Sequence, residues 1–223
     1  MSVGTSFDGR DVSNLFISSH PFSLRVVQNN DIFARGDCMK EHIEIPTLIS
    51  NRLILRPFAL SDSKQVQRQA GNPSVAATTA TIPHPYPDGA AEEWISLHAE
   101  WFQKGINVNW AIVLKEKNEL IGCMSLGINK AHCRAEIAYW IGEEFWNNGY
   151  CSEAARESIR YAFESLNLNK ITSRHMSKNQ SSGKVMINAG MEKEGYLKQD
   201  FCKNGNFVDM VIYGLLREKV LFQ

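Results

Sequence analysis

Short apolar runs bounded by polar or turn residues predict strands along much of the chain. Strand-like runs occupy residues 52–58, 110–114, 120–126, 135–141 and 171–176, and two further runs flank an Asn-Gly pair at 204–205. Asn-Gly between such runs is a strong hairpin signal, and the polar tract 115–119 predicts another turn. The pattern therefore predicts a central sheet of about seven strands, with a meander in its first half.

Apolar residues at spacings of three and four predict about four helices on that sheet. The helical segments run from about 61 to 71, 88 to 102, 149 to 166 and 181 to 190. Asp88 is the predicted N-cap of the second helix, and Gly190 suits the left-handed residue that ends the fourth. Residues 74–89, which are rich in proline, are predicted to form a loop. This order of elements indicates an α/β fold of the α+β kind, with a mixed sheet.

The length and the pattern together predict one domain with an extension. The chain has 223 residues, about one and a half times a typical domain of roughly 150 residues. Residues 1–45 show no sustained period, and we expect them to form an N-terminal extension of unknown role. Residues 46–218 form the predicted domain. Residues 219–223 are set apart as a C-terminal tail, either a cloning remnant or an ordinary chain end.

Composition narrows the class of protein. Lys and Arg total 24 and Asp and Glu total 24, so the formal net charge is zero, without the basic excess of nucleic-acid-binding domains. No apolar run approaches the ~20 residues of a membrane span, and the N-terminus does not resemble a secretory signal. Cysteines without CxxC pairs suit free thiols in a reducing compartment. We therefore expect a cytoplasmic protein with neither a nucleic-acid nor a membrane partner.

The segment 136–154 carries the clearest chemical pattern. A buried strand leads into a loop, and the loop opens a helix whose first residues are small or glycine. Free N–H groups and the positive end of the helix dipole bind anions at such a start. Only Gly149 of a dinucleotide-binding fingerprint is present and no Lys-Ser/Thr pair follows it, so nucleoside-triphosphatase and Rossmann assignments fit poorly. A pyrophosphate fits this helix start, and a plain capped helix is the alternative.

Three ordered motifs connect this segment with the rest of the domain. Three stretches carry the motifs. Trp-Asn-Asn-Gly-Tyr-Cys-Ser-Glu-Ala occupies 146–154, Asn-Gln-Ser-Ser and Gly-Met-Glu-Lys-Glu-Gly occupy 179–182 and 190–195, and Ser-Asn-Arg-Leu-Ile-Leu-Arg-Pro-Phe occupies 50–58. Together they resemble the GNAT superfamily of acyl-CoA-dependent N-acetyltransferases, and within it the RimJ/RimL-like ribosomal-protein N-acetyltransferase branch. The resemblance implies the acyl-CoA N-acyltransferase fold, a mostly antiparallel sheet of about seven strands flanked by about four helices.

The resemblance also implies acetyl-CoA as co-substrate, without a metal. Ile141, at the end of the fourth predicted strand, would offer backbone groups to the pantetheine and the acetyl carbonyl, with Tyr139 beside it. Asn179 would contact the pantetheine arm. Seven residues would surround the pyrophosphate: Trp146, Asn147, Asn148, Gly149, Tyr150, Cys151 and Ser152.

Cys151 and Met186 depart from the family pattern, and the general acid and the general base have still to be assigned. Cys151 stands where the family has glycine or alanine, and Met186 where many members carry the tyrosine that protonates the thiolate. Ser182 is the candidate acid in place of that tyrosine, or else an N-cap hydroxyl. Glu136 is the candidate general base, because burial in an apolar strand raises the pKa of a carboxyl. An outward-facing glutamate, or one paired with Arg134, is the alternative.

The candidate acceptor contacts are His84 and Tyr86, in the loop between the first two helices. His132 and Cys133 adjoin each other, but no further ligands follow at metal spacing, so no metal site is expected.

The predicted reaction is direct transfer of acetyl from acetyl-CoA to a primary amine in a ternary complex. By resemblance to the branch, the leading acceptor is the N-terminal amine of a protein or peptide. A small amine, such as an aminoglycoside, a polyamine or an amino-acid derivative, is the alternative. The unusual residues Cys151 and Met186 leave a catalytically weak acyl-CoA-binding module as a third hypothesis. The expected oligomeric state is a monomer or a homodimer.

Overall fold

The computed structural model describes residues 44–220. Of the predicted N-terminal extension only residues 44–45 belong to this range, and residues 221–223 of the predicted tail lie outside it. The division of the chain at 46 and 218 therefore stays a prediction.

An eight-stranded sheet forms the centre of the described chain. Its strands are β1 (Leu48–Ile49), β2 (Leu53–Arg56), β3 (Asn107–Leu114), β4 (Glu119–Asn129), β5 (Arg134–Ile141), β6 (Lys170–Met176), β7 (Glu192–Lys203) and β8 (Asn206–Leu216). They lie in the order β1-β2-β3-β4-β5-β6-β8-β7, and only the β5–β6 pair is parallel. The predicted mixed, mostly antiparallel sheet is confirmed. The short β1 adds an edge strand to the predicted seven, so Ile141 ends the fifth strand rather than the fourth.

Helices cover both faces of this sheet. They are α1 (Ser63–Ala70), α2 (Pro73–Thr78), α3 (Ala90–Ser96), α4 (His98–Gln103), α5 (Tyr150–Glu164), α6 (Gln180–Asn188) and α7 (Arg217–Val220). No helix in the described range is long and apolar enough to cross a membrane.

Three details of the predicted helices are wrong. The predicted loop 74–89 begins with α2, because the Asn72 side chain caps that helix by accepting a hydrogen bond from the Ser74 N–H at 2.8 Å. The second predicted helix is divided at Leu97 into α3 and α4. Asp88 does not cap α3, since its carboxylate accepts a hydrogen bond from Gln67 at 2.7 Å and Gly89 holds the capping position.

The two faces of β5 belong to different apolar clusters. Ile137 joins the cluster that packs on α5, whereas Trp140 joins the cluster that includes residues of α1, α3 and α4. Alternate residues of a strand face opposite sides of a sheet. Glu136 and Ala138 therefore lie on the α1–α4 face, and Tyr139 lies on the α5 face.

The strands β5 and β6 part from each other after a short parallel contact. Their pairing joins only residues 134–136 to 170–172, although both strands continue further. Ser173 Oγ still donates to the Ile137 carbonyl at 2.9 Å. Beyond this bond the described strands have no ladder pairing, and we call the space between them the opening. The candidate site is built around this opening.

Candidate functional site

The predicted anion-binding loop follows the end of β5 and begins α5. Gly149 holds the N-cap position with φ of 76°, a left-handed conformation that costs glycine little. No side chain of the described range caps this helix start, so the N–H groups of its first turn are available to an anion. Asn148 Nδ2 donates to the carbonyls of Phe145 and Trp146, at 3.2 and 2.9 Å, and holds the loop in shape. The structure therefore places Asn147 to Ser152 around one helix N-terminus.

An ionic bracket, formed by Ser50, Arg52 and Glu153, fixes this loop to the start of the domain. The buried Glu153 carboxylate accepts hydrogen bonds from Ser50 Oγ, the Arg52 N–H and Arg52 Nε, each at 2.7 Å. Arg52 Nη1 donates to the Asn148 carbonyl at 3.0 Å, and the guanidinium lies 4.6 Å from the centre of the Tyr150 ring. Burial opposes the charge of Glu153, but the donors prevail and hold its pKa below the usual value.

The ionic bracket was not predicted from the sequence. Ser50 and Arg52 belong to the motif at 50–58 and Glu153 to the motif at 146–154. The structure shows that these two motifs are in direct contact.

The edge of β5 that faces the opening carries backbone groups without a strand partner. The Ile137 carbonyl points toward β6, and the Gly142 N–H points the other way, to the Ile121 carbonyl at 2.9 Å. Backbone groups alternate in direction along a strand, so those of Tyr139 and Ile141 point into the opening. Trp146 Nε1 donates to the Ile141 carbonyl at 2.7 Å. The Ile141 N–H therefore faces the opening, while its carbonyl is engaged by the loop.

The structure brings Ser182 together with Tyr139. The Tyr139 hydroxyl donates to the Ser182 carbonyl at 2.9 Å and lies 2.9 Å from Ser182 Oγ. Burial raises the pKa of Tyr139 well above its usual value, so the phenol stays protonated. Because its proton goes to the carbonyl, the phenol oxygen accepts a hydrogen bond from the Ser182 hydroxyl.

Asn179, rather than Ser182, caps α6. Its Oδ1 accepts a hydrogen bond from the Ser182 N–H at 3.2 Å, and its Nδ2 donates to the Thr78 carbonyl at 3.1 Å. The alternative role of Ser182 as an N-cap hydroxyl is therefore wrong. Asn179 lies beside the opening, but both ends of its amide are engaged by protein atoms.

Met186 and Cys151, the two residues that depart from the family pattern, both pack in the apolar cluster on α5. Met186 is 1% exposed within the cluster on α5, so it has no access to a substrate. Cys151 packs against the same cluster, and burial raises the pKa of its thiol. The thiol therefore stays neutral and adds no negative charge beside a site for an anion.

Glu136 lies where β5 and β6 part, on the α1–α4 face, but it is not buried as expected. Its side chain is 39% exposed, and Oε1 accepts a hydrogen bond from Arg174 Nε at 3.0 Å. Arg174 Nη1 also lies 3.8 Å from Asp200 Oδ2. The partner is therefore Arg174 rather than Arg134. A base role for Glu136 rests on its position beside the exposed Ala138 and not on burial.

The two candidate acceptor contacts differ in exposure. His84 is exposed, and its Nδ1 lies 3.1 Å from the Gly71 carbonyl. Tyr86 packs against the cluster on the α1–α4 face, and burial raises its pKa to about 12. Lys203, which the sequence did not single out, donates to the Ala76 carbonyl at 2.6 Å and so joins the β7–β8 hairpin to the end of α2.

Comparison with protein families matches residues 52–192 to an acetyltransferase (GNAT) domain. An uncharacterized N-acetyltransferase of Bacillus licheniformis is 31% identical over 175 residues, which cover 78% of this chain and 97% of that protein. The ribosomal protein uS5-alanine N-acetyltransferase of Escherichia coli is 25% identical over 134 residues, which cover 59% of this chain and 69% of that protein.

Solved structures show the same fold. Mycobacterium smegmatis RimJ in complex with CoA-disulfide has a TM-score of 0.70 at 18% identity, over 79% of this chain and 90% of that chain. A spermidine N-acetyltransferase chimera from Vibrio cholerae has a TM-score of 0.67 at 22% identity, over 78% of this chain and all of that chain. At such identities the likeness concerns the fold, and the predicted fold is confirmed.

Proposed function

We propose an acceptor and a mechanism for this chain from one premise, that it belongs to the GNAT acetyltransferase family and is an acyltransferase. The proposed reaction transfers acetyl from acetyl-CoA to the N-terminal amine of a protein or peptide, in the cytoplasm. The relative that acetylates a ribosomal-protein alanine supports this acceptor. The observation that carries the proposal is the free edge of β5, which leads from Glu136 toward the uncapped helix start at Gly149.

The residues around this edge fit acetyl-CoA, which supplies an acetyl thioester when bound. The N–H groups at the start of α5 would hold the pyrophosphate, as helix N-termini hold phosphates elsewhere. The backbone groups of Tyr139 and the Ile141 N–H would pair with the pantetheine amides, as an added strand pairs with an open edge. A contact from Asn179 requires release of its bond to Thr78.

Proton transfer is assigned to groups on both sides of β5. Glu136 would accept the proton of the amine, directly or through a water, after its carboxylate turns from Arg174. N–H groups in the opening would stabilise the negative charge that develops on the acetyl oxygen. Ser182 would donate a proton to the departing sulfur and regain one from a water molecule, while the phenol of Tyr139 stays protonated and holds the Ser182 side chain in place. Positioning the two substrates supplies the larger part of the rate.

An α-amino acceptor suits the site, because such an amine needs little help from a base to lose its proton. An α-amino group with a pKa of about 7.8 loses its proton at pH 7 for about 1 kcal/mol, whereas a lysine with a pKa of about 10.4 needs about 4.6 kcal/mol. Glu136 is partly exposed and ion-paired with Arg174, so its carboxylate must leave that partner before it can accept a proton. An N-terminal amine is therefore the better acceptor.

A small amine remains the alternative acceptor, and the carboxylates near the opening bear on it. A polycation would need free carboxylates at the rim. Glu143 accepts a hydrogen bond from Asn72 at 2.9 Å, and Glu144 is paired with Arg68 at 3.3 Å. Because both carboxylates are engaged, they favour a peptide over a polyamine.

Mass spectrometry of products tests the acceptor. The protein is incubated with acetyl-CoA and a mixture of peptides beginning with Ser, Ala or Met, aminoglycosides and polyamines. Acetylated peptide N-termini are expected. Acetylation of small amines alone would replace the proposal with the alternative, and acetyl-CoA binding without any product would favour the weak binding module.

Variants test the catalytic assignments. Glu136→Gln is expected to lower kcat on a peptide by about tenfold or more at pH 7, below the ~100-fold or more of a full general base. The control Glu164→Gln, on the exposed side of α5, should not change kcat. Ser182→Ala should lower kcat with little change in the KM for acetyl-CoA, and Ser182→Thr should restore part of it. A Glu136→Gln enzyme as fast as the wild type at pH 7 would remove the base role.

A further inference from the structure

A group of buried polar side chains on the Glu136 face of the sheet has no part in the proposed reaction. The strand registers place Asn107, Gly127 and Glu136 in one row across β3, β4 and β5, and Asn109, Ser125 and Ala138 in the next row. Residues two apart on a strand face the same side, so both rows belong to one face. Ala138 and Glu136 are accessible at one end, whereas Asn107, Asn109 and Ser125 are 4%, 0% and 2% exposed at the other.

Two atoms of this group lack hydrogen-bond partners. Asn109 Oδ1 accepts a hydrogen bond from Ser125 Oγ at 2.6 Å. Asn109 Nδ2 and Asn107 Oδ1 are buried and make no hydrogen bond within residues 44–220. Nearly all buried polar atoms in proteins are paired, and an unpaired one calls for an explanation. Here one donor and one acceptor lie on the same strand face, in the rows that lead to Glu136.

We propose that Asn107 and Asn109 form an acceptor subsite that recognises a backbone amide beyond the reacting amine. This inference rests on the proposed function and deepens it. The strands lie about 4.8 Å apart, so β3 is about 10 Å from β5, a distance that about three extended residues span. A peptide carries both a carbonyl for Asn109 Nδ2 and an N–H for Asn107 Oδ1 at that distance. A polyamine carries donors only and leaves Asn109 Nδ2 unpaired.

The subsite is shielded in this structure, because α4 packs on β3. Binding of a peptide therefore requires the helices on this face to shift. The bonds then formed satisfy atoms that have no partner within the described residues, and this makes recognition selective for an acceptor with amides.

The test compares two acceptors with the same reacting group, an alanine-initiated pentapeptide and alaninamide. The wild type is expected to prefer the pentapeptide in kcat/KM by at least about tenfold. The double variant Asn109→Leu with Ser125→Ala removes both members of the internal bond, a change that is often neutral for folding. It should lose most of the preference while its kcat/KM for alaninamide stays within about twofold. If the double variant does not fold, Asn107→Leu replaces it in the same comparison, because it removes Asn107 Oδ1, which has no partner among the described residues.

The exposed Asn188→Leu on α6 is the matched control and should keep the wild-type preference. Equal losses on both acceptors would show a structural role and overturn the subsite, as would a preference that the variants leave unchanged. A wild-type protein that acetylates no amine would refute the proposed function itself, which is a different outcome from activity without the preference.

Discussion

The ionic bracket of Ser50, Arg52 and Glu153 gives the sharpest test of how the loop is held. Glu153→Gln keeps the shape of the side chain and removes its charge. The carboxylate now accepts three hydrogen bonds at 2.7 Å. A glutamine has only one accepting oxygen, so its NH₂ group would face a donor of Arg52 or Ser50. The substitution therefore weakens all three contacts at once.

The expected loss follows from the number and the exposure of these bonds. A hydrogen bond to a charged group contributes about 1.5–3 kcal/mol, but the Arg52 side chain is 44% exposed and solvent screens its part. We expect a total loss of about 2–3 kcal/mol in the free energy of unfolding. At about 2–4 °C per kcal/mol for a chain of this size, the melting temperature should fall by roughly 4–12 °C.

Thermal denaturation of Glu153→Gln and Glu164→Gln checks this value. Glu164 lies on the same helix, but its side chain is 61% exposed and pairs with Arg160 at 3.4 Å, so its loss should shift the melting temperature by no more than about 2 °C. The KM for acetyl-CoA should rise by roughly fivefold in Glu153→Gln only, which corresponds to about 1 kcal/mol of loop anchoring. Equal melting temperatures of the two variants would refute the reasoning.

The pH dependence of the same variant follows from the lowered pKa of Glu153. The group contributes its full stability above the pKa of the unfolded chain, about 4.3, and loses it as the pH falls through the lower pKa of the folded state. The stability difference between wild type and Glu153→Gln should therefore be constant near pH 7 and shrink below about pH 4.

Two further substitutions test the packing around the site. A Cβ at Gly122 would clash with the Trp140 carbonyl oxygen, whereas one at Gly195 meets nothing within 4 Å. Gly122→Ala should therefore lower the free energy of unfolding, measured by urea denaturation, by about 1–3 kcal/mol, and Gly195→Ala should change it very little. Similar denaturation midpoints for the two variants would contradict this account. Burial lowers the pKa of His98 to about 3 from 6.5. The neutral side chain therefore contributes its full stability above pH 6.5. As the pH falls toward 3, the free energy of unfolding decreases by up to about 1.4 kcal/mol per pH unit. His98→Phe should flatten that slope between pH 6.5 and 4.5, and an unchanged slope would show that another group causes it.

Local pattern was enough to predict most elements of the fold. The apolar run in 135–141 and the helical spacing after Gly149 describe β5 (Arg134–Ile141) and α5 (Tyr150–Glu164) closely, because each pattern records how one element is buried. The helix α2 was missed, although Asn72 followed by Pro73 is an N-cap with proline in the first turn. The same pair also suits the end of the helix predicted before it, at about residue 71. The division between α3 and α4 at Leu97 has no comparable signal in the sequence, since the apolar spacing continues through it.

The candidate site also contains parts that the sequence predicts and parts that it does not. The helix start at Gly149 is predicted from contiguous residues, and the family resemblance implies that the loop from Trp146 to Ser152 surrounds a pyrophosphate. Two expectations about single side chains were wrong. Burial was predicted for Glu136, which is partly exposed, and an N-cap role was considered for Ser182, whereas Asn179 holds that position. Exposure and capping depend on which segments cover a residue, and the residue's own neighbours in sequence do not specify them.

The sequence by itself determined most of the elements and the helix start at Gly149, because these depend on interactions between residues close along the chain. The resemblance of its motifs indicated the family. Only the tertiary structure decided which distant groups meet. Ser50 is bonded to Glu153 across 103 positions, Tyr139 to Ser182 across 43 and Arg174 to Glu136 across 38. These pairs follow from the strand order and from the short parallel contact of β5 with β6. That arrangement is fixed by the burial of both sheet faces at once, a property of the whole domain that no single segment carries.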